Sequence, residues 1–314
     1  MLSLIKKELI LQCIKEIEKT GNYPSYVNRI FQYGDDDDYD AQNIFNLELY
    51  KQFIIEKKKN DIDIDELFPE YDPEDKFHYL WGRRIFIAAN IIKNCIIQED
   101  LEIKENNGNM EFTEKMIFQG HLRIEGDLKL KEYDANIIVL GDLNVSGDLE
   151  VEEGSNLIVL GDLNIGHGLF GGVEYYQITV CGNLKANSYI EAPGEIIVGD
   201  KLISPFIHVF YNHGETIVLN GIKSRIFFAS EHFGLITGES SIDLVINNDL
   251  KGLKSYEKTK PKYKDLKKIL LPEIYDEIKE NLELKDKMDI WEIYDDIGDS
   301  IIEYLEKNIS VFID

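Results

Sequence analysis

Two histidines at a regular spacing are the first residues of this chain that could do chemistry. His213 and His232 stand 19 residues apart, and a glycine follows each of them within two positions. A pair of imidazoles can transfer protons or bind a metal ion, and a metal would need a third ligand, for which Glu215, Glu231 and His208 are available. Histidines beside turns also hydrogen-bond to the backbone and orient it, and we favour this structural interpretation.

The predicted binding residues lie around this pair and in one acidic run. They are Asn212, His213, Glu231, His232, Asp35, Asp36, Asp37 and Asp38. Consecutive aspartates usually form a solvated loop, and they can also contact a basic protein. The basic tripeptide Gly82-Arg83-Arg84 is interpreted as an internal ion-pair donor. The sequence predicts no catalytic residue, no metal site and no cofactor.

Aspartates recur in the phrase Gly-Asp-Leu or close to it. They are Asp127, Asp142, Asp148, Asp162 and Asp200. Two carboxylates roughly 5–9 Å apart can hydrolyse a glycosidic bond, and neighbouring β-strands lie about 4.8 Å apart. An aspartate in nearly every repeat is better explained by turn chemistry, because Asp can accept a hydrogen bond within its own turn. We therefore predict that these aspartates build turns.

The same phrase defines an internal repeat. Residues 138–143, Ile-Val-Leu-Gly-Asp-Leu, return at 158–163, and a weaker copy stands at 179–184. A period near 20 residues is typical of a solenoid. The predicted fold is a mainly β solenoid, a β-helix of about six coils of ~20 residues with a partial coil at Leu235. The six coils open near Ile117, Ile138, Ile158, Ile178, Ile196 and Ile217.

A set of glycines supports the same period. Gly154, Gly194, Gly214 and Gly234 stand twenty or forty residues apart. Glycine allows the positive φ and the close backbone approach that corners need. We therefore predict one glycine corner in most coils.

The two flanks have helical periodicity. Residues 1–110 form a mostly helical N-terminal domain or cap, residues 111–250 the repeat domain, and residues 251–314 a helical C-terminal cap. Helices are predicted near residues 2–17, 41–59, 76–97, 262–284 and 287–308. Because an open β-helix end invites edge-to-edge assembly, the flanks are interpreted as caps.

Charge and cysteine content restrict the function. The 314 residues include 34 Lys and Arg against 59 Asp and Glu, a net charge of −25. Such a field repels nucleic acid and anionic membranes and favours a basic protein partner. Cys13, Cys95 and Cys181 are odd in number and far apart, which indicates reduced thiols. Without a signal peptide or a membrane span, we expect a cytoplasmic protein.

The Val-Leu-Gly-Asp-Leu phrases at 139–143 and 159–163 resemble those of bacterial β-helix proteins. One similar group is the bactofilins, polymer-forming cytoskeletal proteins with stacked glycine-rich coils. A closer likeness is to VLGDL-repeat proteins with a later Asn-His-Gly phrase, here residues 212–214, some of which are associated with toxin–immunity loci. The resemblance covers about residues 117–235 and implies the β-helix fold.

Charge and resemblance together predict a non-enzymatic binding protein. The expected partner is a basic protein such as a cognate toxin, which this chain would bind and neutralise. Two alternatives remain open. One is a bactofilin-like scaffold, a homo-oligomer in which coils stack end to end. The other is a β-helix hydrolase or transferase that uses the histidine pair or the aspartates.

Overall fold

The computed structural model of this chain describes residues 4–20, 47–69, 81–95, 102–131, 135–172, 176–210, 214–230, 232–246, 263–283 and 290–313. Most of these residues belong to one parallel β-solenoid, in which the turns contribute short strands to three columns. The first column has seven strands, so the solenoid has about seven turns. The predicted fold class is confirmed, and the partial coil at Leu235 contributes the full strand Phe233–Ile236.

Each column is a stack of parallel strands from successive turns. The first column consists of Met116–Phe118, Asn136–Val139, Asn156–Val159, Gln177–Val180, Glu195–Val198, Glu215–Val218 and Phe233–Ile236. The second consists of Ile103–Asn107, His121–Glu125, Leu143–Val145, Leu163–Ile165, Leu184–Ala186 and Leu202–Ile203. The third consists of Met110–Phe112, Leu128–Leu130, Leu149–Val151, Gly168–Gly171, Tyr189–Ala192 and Phe206–Phe210.

Two further strands complete the solenoid sheets. The long strand Ile222–Ser230 ends both the second and the third column, and Ser241–Ile246 pairs with it. Outside the solenoid, Leu4–Lys6 and Asp61–Asp63 form a short antiparallel pair.

Alternating side chains build the solenoid core. In the second column Leu143 and Val145 are 0% and 2% exposed and point inward, whereas Asn144 between them points outward. The inward leucine returns one turn later, where Leu143 pairs with Leu163. Each such leucine contributes roughly 1.5–3 kcal/mol by leaving water. The repeat therefore stacks apolar residues on apolar residues along the axis.

The predicted glycine corners are only partly present. The pairing of Glu195 with Glu215 aligns Gly194 with Gly214, but Gly234 pairs with Thr216 and so lies two positions further on. Among the four glycines only Gly154 has a positive φ, at 76°. At Gly194 a β-carbon would instead lie 2.5 Å from the ring of Tyr176. Close packing, and not a repeated turn geometry, therefore explains part of this spacing.

The described residues include five α-helices outside the solenoid. They are α1 (Lys7–Thr20), α2 (Leu47–Glu56), α3 (Trp81–Cys95), α4 (Pro272–Glu283) and α5 (Ile290–Glu306), with short 3-10 helices at Asp65–Leu67 and Tyr263–Lys268. Each predicted helix extends beyond the observed helix at one or both ends, partly because some predicted ends fall outside the described residues. Within the described residues no helix combines the length and the apolar character that crossing a bilayer requires.

The helices cover two sides of the solenoid. Helices α1–α3 form one core with the outward apolar residues of the first column, including Ile138, Leu160 and Ile217. Helices α4 and α5 form another core with outward residues of the third column, including Phe206 and Phe228. The described helices thus pack along the sides of the solenoid. The first solenoid strand, Ile103–Asn107, also begins before the expected boundary at residue 111.

Candidate functional site

The second column is the side of the solenoid that the described helices leave uncovered. Its outward residues are exposed or half-buried in every turn: Glu105, Arg123, Asn144, Asn164, Lys185, Ile203, Lys223 and Ser241. The amide of Asn164 donates to Oδ1 of Asn144 at 3.1 Å, and Arg123 pairs with Glu125. The result is a continuous polar surface with a shallow groove over its first turns. We call it the open face.

A row of hydrogen-bond acceptors runs along one edge of the open face. The backbone N–H of Asp142 donates to Nδ1 of His121 at 2.9 Å, and that of Asp162 donates to Oδ1 of Asp142 at 2.8 Å. The N–H of Asn183 then donates to Oδ1 of Asp162 at 2.7 Å. We predicted that each aspartate would cap its own turn. The acceptor instead serves the next turn, because the stacked backbone brings that N–H nearest.

A second corner has the same arrangement. The N–H of Asp148 donates to Oδ1 of Asp127 at 3.0 Å, and the N–H of Gly168 donates to Oδ1 of Asp148 at 2.8 Å. His167 contacts the same Oδ1 at 2.7 Å through Nδ1, and its Nε2 lies 2.9 Å from the carbonyl oxygen of Leu305 in α5. The recurrent aspartates therefore hold turns together, and His167 links one of them to the C-terminal helix.

The described member of the predicted histidine pair is a structural residue. His232 is 1% exposed, and its Nδ1 lies 2.9 Å from the carbonyl oxygen of Phe210, so Nδ1–H donates. Its Nε2 then accepts from the hydroxyl of Thr216 at 2.9 Å. Both nitrogens are engaged, which agrees with the structural interpretation. The other predicted binding residues, Asn212, His213, Glu231 and the run 35–38, lie outside the described residues.

A half-buried acidic pair lies between the first column and α3. Glu195 and Glu215 are register partners on adjacent turns, and Arg83 forms a two-point ion pair with Glu215, with Nε 3.0 Å from Oε2. The predicted role of Arg83 as an internal ion-pair donor is confirmed. Burial, followed by the charge of Glu215, raises the pKa of Glu195, while Arg83 opposes that rise. At Gly82 a β-carbon would lie 1.9 Å from Oε1 of Glu195, so glycine lets the helix approach.

A second acidic group lies between the third column and α5. Register pairing places Glu191 directly beside His208 on the next turn, and Asp299 reaches them from α5. One ligand atom from each of the three residues lies within 4.8 Å of the other two. Burial raises the pKa of Glu191 to about 8, with Asp299 and Glu306 adding to the effect. We call these three residues the acid–histidine cluster.

His208 has an unusual environment for a polar side chain. It is 1% exposed, and its ring stacks between Phe210 and Phe228, with centroids at 4.6 Å and 4.8 Å. Neither ring nitrogen has a hydrogen-bond partner. Burial, with a smaller contribution from His232, lowers the pKa of His208 to about 3, so the ring is neutral. A neutral imidazole with two unused nitrogens is a competent metal ligand.

From the sequence, His208 is predicted only as a possible third ligand, and Glu191, Glu195 and Asp299 are not predicted as site residues. One signal was present. The strand Phe206-Ile207-His208-Val209-Phe210 is apolar on both faces except at His208, and a continuous apolar run indicates a strand that is covered on both sides. That pattern places His208 under another element.

The fold and these sites define a parallel β-solenoid with helical side packing and one open polar face. The chain matches no protein-family model, no curated protein and no solved structure.

Proposed function

We propose that the protein is an acidic binding module whose open face recognises a basic protein, and that its most concrete role is to bind and neutralise a toxin. One observation carries this proposal. The described helices pack on the outward sides of the first and third columns, whereas the outward residues of the second column stay exposed or half-buried, and all of them except Ile203 are polar. A regular uncovered surface on a rigid scaffold suits recognition.

The chemistry of the open face favours a protein partner. Its outward row contains amide, charged and hydroxyl side chains, and within the described residues it contains no aromatic ring on which a sugar or a base could stack. Asn144 and Asn164 offer amide groups that both donate and accept. Such groups suit the polar surface of a folded protein.

The net charge of the chain indicates the charge of its partner. The net charge of −25 attracts a basic protein and accelerates encounter, an effect that salt weakens. Asp142 and Asp162 lie along one edge of the open face, and the side chain of Asp142 is 41% exposed. A basic partner would therefore meet carboxylates at this edge after being steered by the whole molecule.

Co-expression with the product of the adjacent gene tests the proposal. We expect a stable complex, protection from toxicity and an association rate that falls as salt rises. Asn164→Arg places a long cation in the centre of the open face and should abolish binding. Glu280→Arg, an exposed position on α4, makes a larger charge change away from that face and should preserve most binding. Loss of binding in both variants, or in neither, would contradict the assignment of the open face as the binding surface.

A filament-forming scaffold is the second candidate. Within the described residues, Ile103–Asn107 pairs with a strand on one side only, and Ile103 is 66% exposed. An unpaired strand edge is a template for another chain. Light scattering and electron microscopy of the purified chain decide this candidate, because a monodisperse monomer at high concentration would exclude it.

A further inference from the structure

The acid–histidine cluster differs from the other polar groups of the solenoid. His232 and His167 have partners for both ring nitrogens, and the corner aspartates accept backbone N–H groups. His208 has no partner for either nitrogen, although it is fully buried. Within the described residues, no lysine or arginine forms an ion pair with Glu191. A buried histidine and a buried carboxylate are thus placed together without an evident compensating group.

Three separate parts of the fold converge on this point. Glu191 and His208 come from adjacent turns of the third column, and their register is fixed by strand pairing. Asp299 comes from α5, where Gly298 allows close approach, since a β-carbon at 298 would lie 2.7 Å from Cε1 of His208. The two solenoid residues are buried and Asp299 is exposed. The cluster therefore has a rigid inner wall and one member that faces solvent.

We propose that Glu191, His208 and Asp299 bind a divalent transition-metal ion of the zinc class, which fastens α5 to the solenoid. One imidazole nitrogen and two carboxylates are ligands that zinc accepts, with water in the fourth position. Zinc–ligand bonds of about 2.0–2.2 Å place tetrahedral donor atoms roughly 3.4 Å apart. The donor atoms now lie within 4.8 Å of one another, so small side-chain adjustments would have to bring them to that separation when the metal binds.

The inference concerns a site away from the open face. A metal here would neutralise the two carboxylates and use an otherwise orphaned imidazole nitrogen. It would join α5 to the turns that contain Glu191 and His208. The expected role is structural, because the ligands would join α5 to two adjacent turns of the solenoid.

Metal titration of the full chain tests the proposal. The purified protein is treated with a chelator, dialysed, and titrated with Zn²⁺ by calorimetry, with bound metal counted by elemental analysis. We expect one Zn²⁺ per chain and a melting temperature that rises with the Zn²⁺ concentration. Co²⁺ should give the visible absorption of a low-symmetry site. Absence of saturable binding to the wild-type chain would overturn the proposal.

Variants identify the site. Asp299→Asn should weaken Zn²⁺ binding by about 100-fold or more, since even loss of an outer-shell partner costs roughly 10–100-fold. Glu303→Gln changes an exposed carboxylate on the same helix and should leave affinity unchanged. His208→Phe keeps the ring stack between Phe210 and Phe228 but removes the nitrogen ligand, and it should also abolish binding. Equal affinity of wild type and Asp299→Asn would place any bound zinc elsewhere.

Discussion

Glu195 and Glu191 stand four residues apart in the chain, but they lie under different flanking helices. Glu195 faces α3, where Arg83 supplies a positive charge to it and to Glu215. Glu191 faces α5, where its neighbours are Asp299, Glu306 and the neutral ring of His208. The comparison shows that the two helical flanks use different devices to tolerate buried acid. One places the cation of Arg83 beside the acids, and under our proposal the other binds a metal ion from solution.

Removal of the Arg83 cation should cause the largest loss of unfolding free energy. Arg83→Met leaves the largely buried carboxylate of Glu215 without its counterion, and breaking such a pair costs about 3–5 kcal/mol. Urea unfolding of the purified variant measures the loss. Arg123→Met is the matched control, because Arg123 and Glu125 are exposed and such pairs contribute about 0–1 kcal/mol. Equal losses for the two variants would refute a special role of Arg83.

A corner aspartate provides a third kind of compensation, by backbone N–H groups. Asp162→Ala removes the acceptor of the Asn183 N–H and should destabilise the chain by about 1–3 kcal/mol. Asp162→Asn keeps an acceptor oxygen, and Asn183 itself occupies the equivalent position one turn later, so this control should lose less than half as much. Hydrogen exchange of the Asn183 amide would localise the difference. An unchanged exchange rate of the Asn183 amide in Asp162→Ala would contradict the hydrogen bond from that amide to Asp162.

The raised pKa of Glu195 predicts a pH-dependent stability. The folded protein holds the Glu195 proton at a pH where the unfolded chain, with a pKa near 4.5, has released it. The unfolded state then binds fewer protons, so this group makes stability fall as pH rises above about 4.5. Glu195→Gln should flatten that fall and add about 1–2 kcal/mol at pH 8. An unchanged slope of unfolding free energy against pH would disprove the assignment.

Replacing the buried His208 should change the free energy of unfolding least, and His232 is the buried histidine with which it can be compared. In metal-free protein, His208→Phe removes two unsatisfied nitrogens and should raise stability by about 1 kcal/mol. His232→Phe removes two satisfied nitrogens and should lower stability by about 1–3 kcal/mol. Thermal unfolding in a chelating buffer compares them. Destabilisation of equal size in both would show that His208 has partners of its own.

The fold could be predicted from sequence because its determinants are local. Leu143 and Leu163 pair one coil apart, and the Gly-Asp-Leu phrases mark two corners of the coil. The six predicted coils and the partial coil at Leu235 correspond to the seven turns of the structure, because the partial coil contributes the complete strand Phe233–Ile236.

The side packing of the helices was not predicted, although its signal was present. The run Ile137-Ile138-Val139-Leu140 is apolar at inward and outward positions alike, which indicates cover on both faces, whereas Leu143-Asn144-Val145 alternates and lies on the open face. The acid–histidine cluster is harder to predict, because Asp299 and His208 are 91 residues apart and meet only through tertiary packing.

The corner acceptors also give the solenoid a direction. Oδ1 of Asp142 receives the N–H of Asp162, and Oδ1 of Asp162 receives that of Asn183, so each side chain serves a turn that is synthesised after it. A growing chain thus presents, at the edge already formed, the acceptor that aligns the next 20 or 21 residues. Each coil is therefore translated after the acceptor side chain to which its corner N–H donates.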